Sequence, residues 1–273
     1  MGTKERYERV AREVERVCVE AGRDPREVRL VAVSKTVGEA QVACAMEGGA
    51  LDFGENRPDE ILRKSAAFPQ ARWHFIGNVQ SRRIPDIVGA AALVHSLYQE
   101  HHVARFDVAA ARLGKVQDVL LEVNVSKEKS KSGVAPEDAH SLLEACAQVK
   151  HLRVRGLMTM APQGDAAVAR ECFEGLARLR DELRAGLAPC QAAVFNELSM
   201  GMSEDWREAV CAGATIVRIG RAVFDSSFEN RERTAGSARG KTKRKRSGGN
   251  RRMKRSRWYY GVVGKREIGA KHA

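Results

Sequence analysis

The sequence has no C-x-x-C pair, and none of its six cysteines stands near a histidine at zinc-finger spacing. That argues against a zinc ribbon and against a disulfide scaffold. Cys18, Cys44, Cys146, Cys172, Cys190 and Cys211 are scattered singly, as expected for mostly buried small apolar residues in a reducing compartment. Long apolar runs are also missing, and no stretch approaches the ~20 residues that span a bilayer. Residues 1–20 are charged and lack the apolar segment of a secretory signal. No membrane association is expected, and the cytoplasm is the expected compartment. Glycine-rich phosphate loops are absent too. The first strand-to-helix turn reads Ser34-Lys35-Thr36-Val37-Gly38, which is neither G-x-G-x-x-G nor a Walker loop.

The chain does carry positive charge, a net +12 over 273 residues, but unevenly. Residues 231–273 hold 16 Lys/Arg and 2 Asp/Glu, leaving 31 Lys/Arg against 33 Asp/Glu in residues 1–230. The expected organisation is therefore a near-neutral globular body, 1–230, and a basic low-complexity tail, 231–273. Apolar residues make up 43% of the chain, enough for a sizeable core. In the tail, dense like charge with little hydrophobicity predicts disorder in isolation.

Through the body, short β-branched runs alternate with amphipathic segments. Residues 28–34, 51–55, 72–76, 92–97, 119–125, 154–160, 197–200 and 215–219 read as strands. Between them, 38–47, 58–67, 81–88, 99–113, 136–149, 165–185 and 203–211 read as helices, the last with Ser203 as N-cap. One extra helix, 3–21, precedes the series. Regular alternation implies a parallel sheet. Roughly eight units in about 225 residues suit an α/β (β/α)8 TIM-type barrel better than an open sheet.

In such a barrel the chemistry sits at the C-terminal ends of the strands. Two features stand out there. Lys35 follows an apolar run directly, and a lysine between dry walls loses its proton more easily, which equips it to form a Schiff base with an aldehyde. The alternative is a lysine that merely snorkels at a strand end. The second feature is a pair of small-residue turns, Ser199-Met200-Gly201 and Ile219-Gly220, after the last two strands. Barrels often bind phosphate at these loops, although such glycines also serve as plain turns. An aldehyde-bearing ligand with a phosphate handle fits both features, and pyridoxal 5′-phosphate (PLP) is such a cofactor. Arg218 would then face the pyridine nitrogen and keep it unprotonated. Alternatively it forms a structural ion pair with Asp205 or Glu55.

Seven stretches carry a resemblance: VAVSKT around Lys35, LDFGEN (51–56), WHFIG followed by Gln80, LLEVNVSKEKSKSG (120–133), VRGLMTM (154–160), LSMGMSEDW (198–206) and VRIGRAVF (217–224). In this order they make residues 1 to about 228 resemble the pyridoxal phosphate homeostasis proteins, whose fold is like the barrel domain of alanine racemase. The resemblance implies that Lys35 carries PLP as a Schiff base. It implies phosphate contacts from Ser199, Gly201 and Gly220, with Arg218 at the pyridine nitrogen and Asn56 and His74 lining the pocket. It further implies a monomer that stores and delivers PLP, with PLP-dependent apoenzymes as candidate recipients and without robust turnover. Arg221 departs from the pattern, standing where a small hydroxyl residue is common. Its guanidinium either pairs with the phosphate or points outward.

An amino-acid racemase on the same barrel is the alternative. Racemization needs a second acid/base on the other cofactor face. Of the four tyrosines, Tyr7, Tyr98, Tyr259 and Tyr260, only Tyr98 stands near a strand end. The tail suggests a separate activity. Its basic clusters at 241–246 and 251–257, followed by Trp258-Tyr259-Tyr260, suit sequence-indifferent binding of nucleic acid or another polyanion. A solvated appendage without a partner is the competing reading.

Overall fold

The computed structural model describes residues 1–128 and 130–228. The basic segment 231–273, and every expectation placed on it, lies outside the described residues. Eight parallel strands close into a barrel in sequence order. They are β1 (Arg29–Val33), β2 (Asp52–Glu55), β3 (Arg72–Phe75), β4 (Leu93–Leu97), β5 (Gln117–Glu122), β6 (Leu152–Met158), β7 (Glu197–Ser199) and β8 (Ile216–Ile219). Closure comes from β1 pairing with both β2 and β8. The expected (β/α)8 architecture is therefore present.

Helices cover the outside: α1 (Thr3–Glu20), α2 (Glu39–Glu47), α3 (Pro58–Ala67), α4 (Ile84–Ala90), α5 (Val103–Arg112), α6 (Ala139–Ala147), α7 (Ala166–Ala185), α8 (Pro189–Ala192), α9 (Trp206–Cys211) and α10 (Arg221–Phe224). Their starts follow local chemistry. Pro58 occupies the first turn of α3, where a missing N–H costs nothing, and the Asp165 side chain accepts from Ala167 N at the head of α7. The extra helix α1 buries Tyr7, Val10, Val14, Val17 and Cys18, an i, i+3/i+4 stripe. Its buried Arg6 donates from Nε to Val223 O at 2.7 Å, tying the start of the body to α10.

Two apolar cores result. The larger fills the layer between strands and helices and includes Phe53, stacked on Trp73 with ring centroids 5.3 Å apart. The smaller, Val31, Leu93, Leu120, Met158 and Ile216, plugs the barrel interior. Burial on both strand faces accounts for the near-continuous apolar runs.

Three details differ from the sequence reading. The fifth strand runs 117–122 rather than 119–125. After Glu122 the chain folds back on itself, with Val134 N donating to Glu122 O at 2.8 Å and Asn124 N to Val134 O at 2.9 Å. The helix near 203 starts only at Trp206, because Met202 N donates to Asp205 Oδ1 at 2.6 Å in a preceding turn. Ser203 is thus not its N-cap. Half of the cysteines, Cys44, Cys190 and Cys211, are exposed rather than buried. Among the described residues no helix is long and apolar enough to cross a membrane, and no cluster of His, Cys, Asp and Glu could hold a metal ion.

Candidate functional site

A cavity of about 580 Å³ opens at the C-terminal ends of the strands. That size suits a small cofactor. Its lining includes Lys35, Asn56, Arg218 and Gly220 from the sequence reading, together with Glu122 and Ser203.

Lys35 lies in the turn after β1 with its side chain exposed, not between dry walls. The backbone just before it is held rigidly. Lys64 Nζ, buried on α3, donates to Ser34 O at 3.0 Å and pairs with the buried Glu55 carboxylate. Ser34 Oγ donates to the same Glu55 oxygen at 2.8 Å. Glu55 therefore serves Lys64 and not Arg218. Asn56, following β2, reaches the cavity directly.

Arg218 on β8 is buried, and its guanidinium is committed in two directions. Nη1 donates to Ser199 Oγ at 2.6 Å and Nη2 to Thr159 O at 3.0 Å. Burial lowers its pKa to about 10, against the opposing charges of Asp205 and Glu122, so it stays cationic at neutral pH. Glu122, at the end of β5, is a buried carboxyl whose pKa burial raises to about 7, with Arg218 pulling the other way. Burial also raises the Asp205 carboxyl, opposed first by the Met202 N–H.

Gly220 is tightly placed. A Cβ there would stand 3.1 Å from Val33 O and 3.3 Å from Val33 Cβ. Beside it, Ser203 Oγ accepts from Ala222 N at 3.4 Å. The Ser203 hydroxyl, which keeps its own hydrogen to donate, and the Gly220 backbone thus border the cavity at the loops after β7 and β8, where barrels often bind phosphate. Arg221, also on the lining, pairs with Glu204 at 3.0 Å and lies over the Phe228 ring.

Three expected site residues sit elsewhere. Ser199 is fully buried behind Arg218, and its Oγ lies 2.8 Å from His95 Nδ1. It is not on the cavity wall, where the hydroxyl next to the loops after β7 and β8 belongs to Ser203. Gly201 is not on the wall either. It adopts φ +91°, a Cβ there would stand 2.6 Å from Ala209 Cβ, and its carbonyl accepts from Arg218 N at 2.9 Å. His74 is inside the barrel but faces a second cavity of about 180 Å³ at the opposite end, lined by Arg29, Asp52, Arg72 and Glu197 among others. Residues alternate along a strand, and both faces here are buried, so the sequence does not reveal which level of the barrel an inward side chain reaches. Tyr98 donates to Asn78 Oδ1 at 3.0 Å, and Asn78 is on the cavity wall.

A family model described as alanine racemase, N-terminal domain, matches residues 8–227. The pyridoxal phosphate homeostasis protein of Aquifex aeolicus is 37% identical over 227 residues, covering 82% of this chain and 98% of that protein. Its counterpart in Pseudomonas aeruginosa is 40% identical over 223 residues, covering 81% and 94%. Among solved structures, PipY of Synechococcus elongatus with PLP bound superposes with a TM-score of 0.66 at 33% identity, covering 77% of this chain and 99% of that one.

Proposed function

Because this chain belongs to the alanine racemase N-terminal domain family, we propose that it binds pyridoxal 5′-phosphate and serves intracellular PLP homeostasis, storing and delivering the cofactor. One observation carries the reading. A single cavity brings together an accessible amine at Lys35, the Ser203 hydroxyl beside the Gly220 backbone, and a buried guanidinium at Arg218. These match the three handles of the cofactor: an aldehyde, a phosphate and a pyridine nitrogen.

When bound, PLP supplies an electrophilic aldehyde carbon and a ring that withdraws electrons. Lys35 contributes the amine that holds the aldehyde carbon covalently. Ser203 and the backbone around Gly220 hold the phosphate. Arg218, which keeps its proton, would face the ring nitrogen and leave it unprotonated, an arrangement that would weaken the ring as an electron sink and favour holding the cofactor over transforming substrates. Asn56 borders the ring. The folded body is assigned to residues 1–230 acting as a monomer, with PLP-dependent apoenzymes as recipients in the cytoplasm. A separate reading concerns 231–273, where the basic clusters and Trp258-Tyr259-Tyr260 favour weak polyanion binding. Deleting the chain after residue 230 would then abolish low-salt retention on a polyanion column, and unchanged retention would refute it.

The test is a visible absorption spectrum of the purified protein and of Lys35→Ala, with borohydride trapping and peptide mass mapping. A yellow protein with the adduct on Lys35, lost in the variant, supports the proposal. A colourless protein that takes up no added PLP overturns it. Measurable racemization of alanine by the loaded protein would replace a storage role with a catalytic one.

A further inference from the structure

Behind the cavity wall, five polar side chains form a continuous path through the barrel interior. Arg218 Nη1 lies 2.6 Å from Ser199 Oγ. Ser199 Oγ lies 2.8 Å from His95 Nδ1. His95 Nε2 lies 2.9 Å from His74 Nδ1, and His74 Nε2 lies 3.0 Å from Asp52 Oδ1. All five side chains are buried. The path starts on β8 at the mouth, passes β7, crosses to β4 and β3, and ends on the first residue of β2.

The hydrogens along this path are determined by its two ends. Asp52 is a carboxylate. Burial raises its pKa, but hydrogen bonds from His74 and Arg72 outweigh that and hold it at about 2. It accepts, so His74 carries a proton on Nε2, and burial, which lowers the His74 pKa, keeps the ring neutral and its Nδ1 bare. His95 Nε2–H must then donate to His74 Nδ1. Burial and the nearby charges of Arg218 and Arg29 hold His95 neutral, which leaves its Nδ1 bare as well. Only the Ser199 hydroxyl can supply that hydrogen. Ser199 Oγ in turn accepts from the guanidinium. Every donor points the same way, from the cation at the mouth to the anion at the far end.

We infer that His95 is a positioning residue for Arg218: a one-way chain of four hydrogen bonds, Arg218–Ser199–His95–His74–Asp52, fixes the guanidinium at the cavity wall from the opposite end of the barrel. The inference goes beyond the homeostasis reading and rests on it only for what Arg218 touches. The chain holds one guanidinium nitrogen inward on Ser199, while the Thr159 carbonyl takes another. The face that remains toward the cavity is thereby set before any ligand arrives, which is preorganisation at the point where charge must be matched. It also explains why the Ser199 hydroxyl is not available to a phosphate: its single hydrogen is already used by His95.

Two measurements test this on the full chain. In the ligand-free protein, nitrogen-15 NMR of the histidine rings is expected to show His74 and His95 neutral and protonated on Nε2 between pH 5 and 8. A proton on Nδ1 of either ring refutes the chain. In the second, PLP is titrated into wild type, Ser199→Ala, His95→Leu and His95→Gln. Ser199→Ala and His95→Leu are expected to weaken PLP binding about tenfold and to move the absorption maximum of the bound cofactor, consistent with losing one hydrogen bond to a charged group. The Gln side chain accepts with its oxygen and donates with its nitrogen, so His95→Gln should recover most of both. Ser199→Ala removes one hydroxyl, so it remains informative if His95→Leu does not fold. Folded variants that bind PLP with wild-type affinity and spectrum overturn the inference. A wild-type protein that takes up no PLP refutes the functional reading instead, and the histidine tautomers still decide the chain.

Discussion

The two ends of the barrel contain similar residues arranged to opposite effect. At the N-terminal end of the strands, charges are matched. Arg72 makes a forked contact with Asp52 at 2.8 and 2.6 Å, Arg29 reaches Glu197 at 3.5 Å, and Arg153 is paired with Asp118. At the C-terminal end, Lys35 projects into solvent and Glu122 is buried with Arg218 as its opposing charge. One end is satisfied within the chain, and the other carries groups whose chemistry a ligand would complete. Conserving energy at one end and withholding partners at the other is how a barrel separates stability from binding.

The most severe way to break this comparison is Asp52→Ala, which leaves His74 and Arg72 without their acceptor. The expected loss is ~3–5 kcal/mol in urea denaturation at pH 7. The pH dependence has a definite sign. The Asp52 pKa is depressed from 3.8 to about 2, so its stabilisation is present above the ordinary value and lost as pH falls toward 2. The gap between variant and wild type should therefore narrow in acid.

Glu122→Gln should act in the opposite direction. Its pKa is raised from 4.5 to about 7, so the native state favours the protonated form and stability falls as pH rises through that window. Removing the charge should stabilise the protein by up to ~3 kcal/mol at pH 8 and change little near pH 4.5. Equal shifts at both pH values would show that Glu122 is not the titrating group. Ser203→Ala sharpens the comparison more gently. A loss of ~1 kcal/mol or less in stability should accompany several-fold weaker binding of inorganic phosphate or PLP, read by calorimetry. The smallest stability effect belongs to Lys35→Ala, within ~0.5 kcal/mol of wild type in thermal melts. A large destabilisation there would place Lys35 with the structural charges of the other end.

The barrel was legible because each unit announces itself. The run from Val31 to Val33 ends in Ser34-Lys35, and Pro58 opens a helix right after Glu55-Asn56. Lys35, Asn56, Arg218 and Gly220 could be placed at the cavity because strand ends are predictable from where apolar runs stop. Glu122 was missed for the converse reason: it sits inside the apolar run VLLEVNV, and only the fold-back at Val123 to Val134 makes it a strand end. Ser203 resembled a helix cap because Asp205 and a helix follow it closely. His95, within ALVHSLY, gives no local signal at all. Its role depends on β7 facing β4 across the interior, a relation between distant segments that no window of sequence contains. His74 and Ser199 lie off the lining of the mouth cavity, which the sequence does not show because alternation tells inward from outward but not upper from lower.

The register of β5 shifts against β6 between Val119 and Leu120, and against β4 between Val94 and Leu97. Both extra residues lie in the neighbouring strands, so β5 itself alternates without a break: Val119 and Leu121 join the outer core, Leu120 enters the interior plug, and Glu122, two residues on from Leu120, shares its face. The acidity of the mouth is therefore encoded by parity. Deleting one residue ahead of Leu120 would exchange an acid for a valine at the opening without altering a single codon there, which makes indels, rather than substitutions, the abrupt route by which this barrel could change what it accepts.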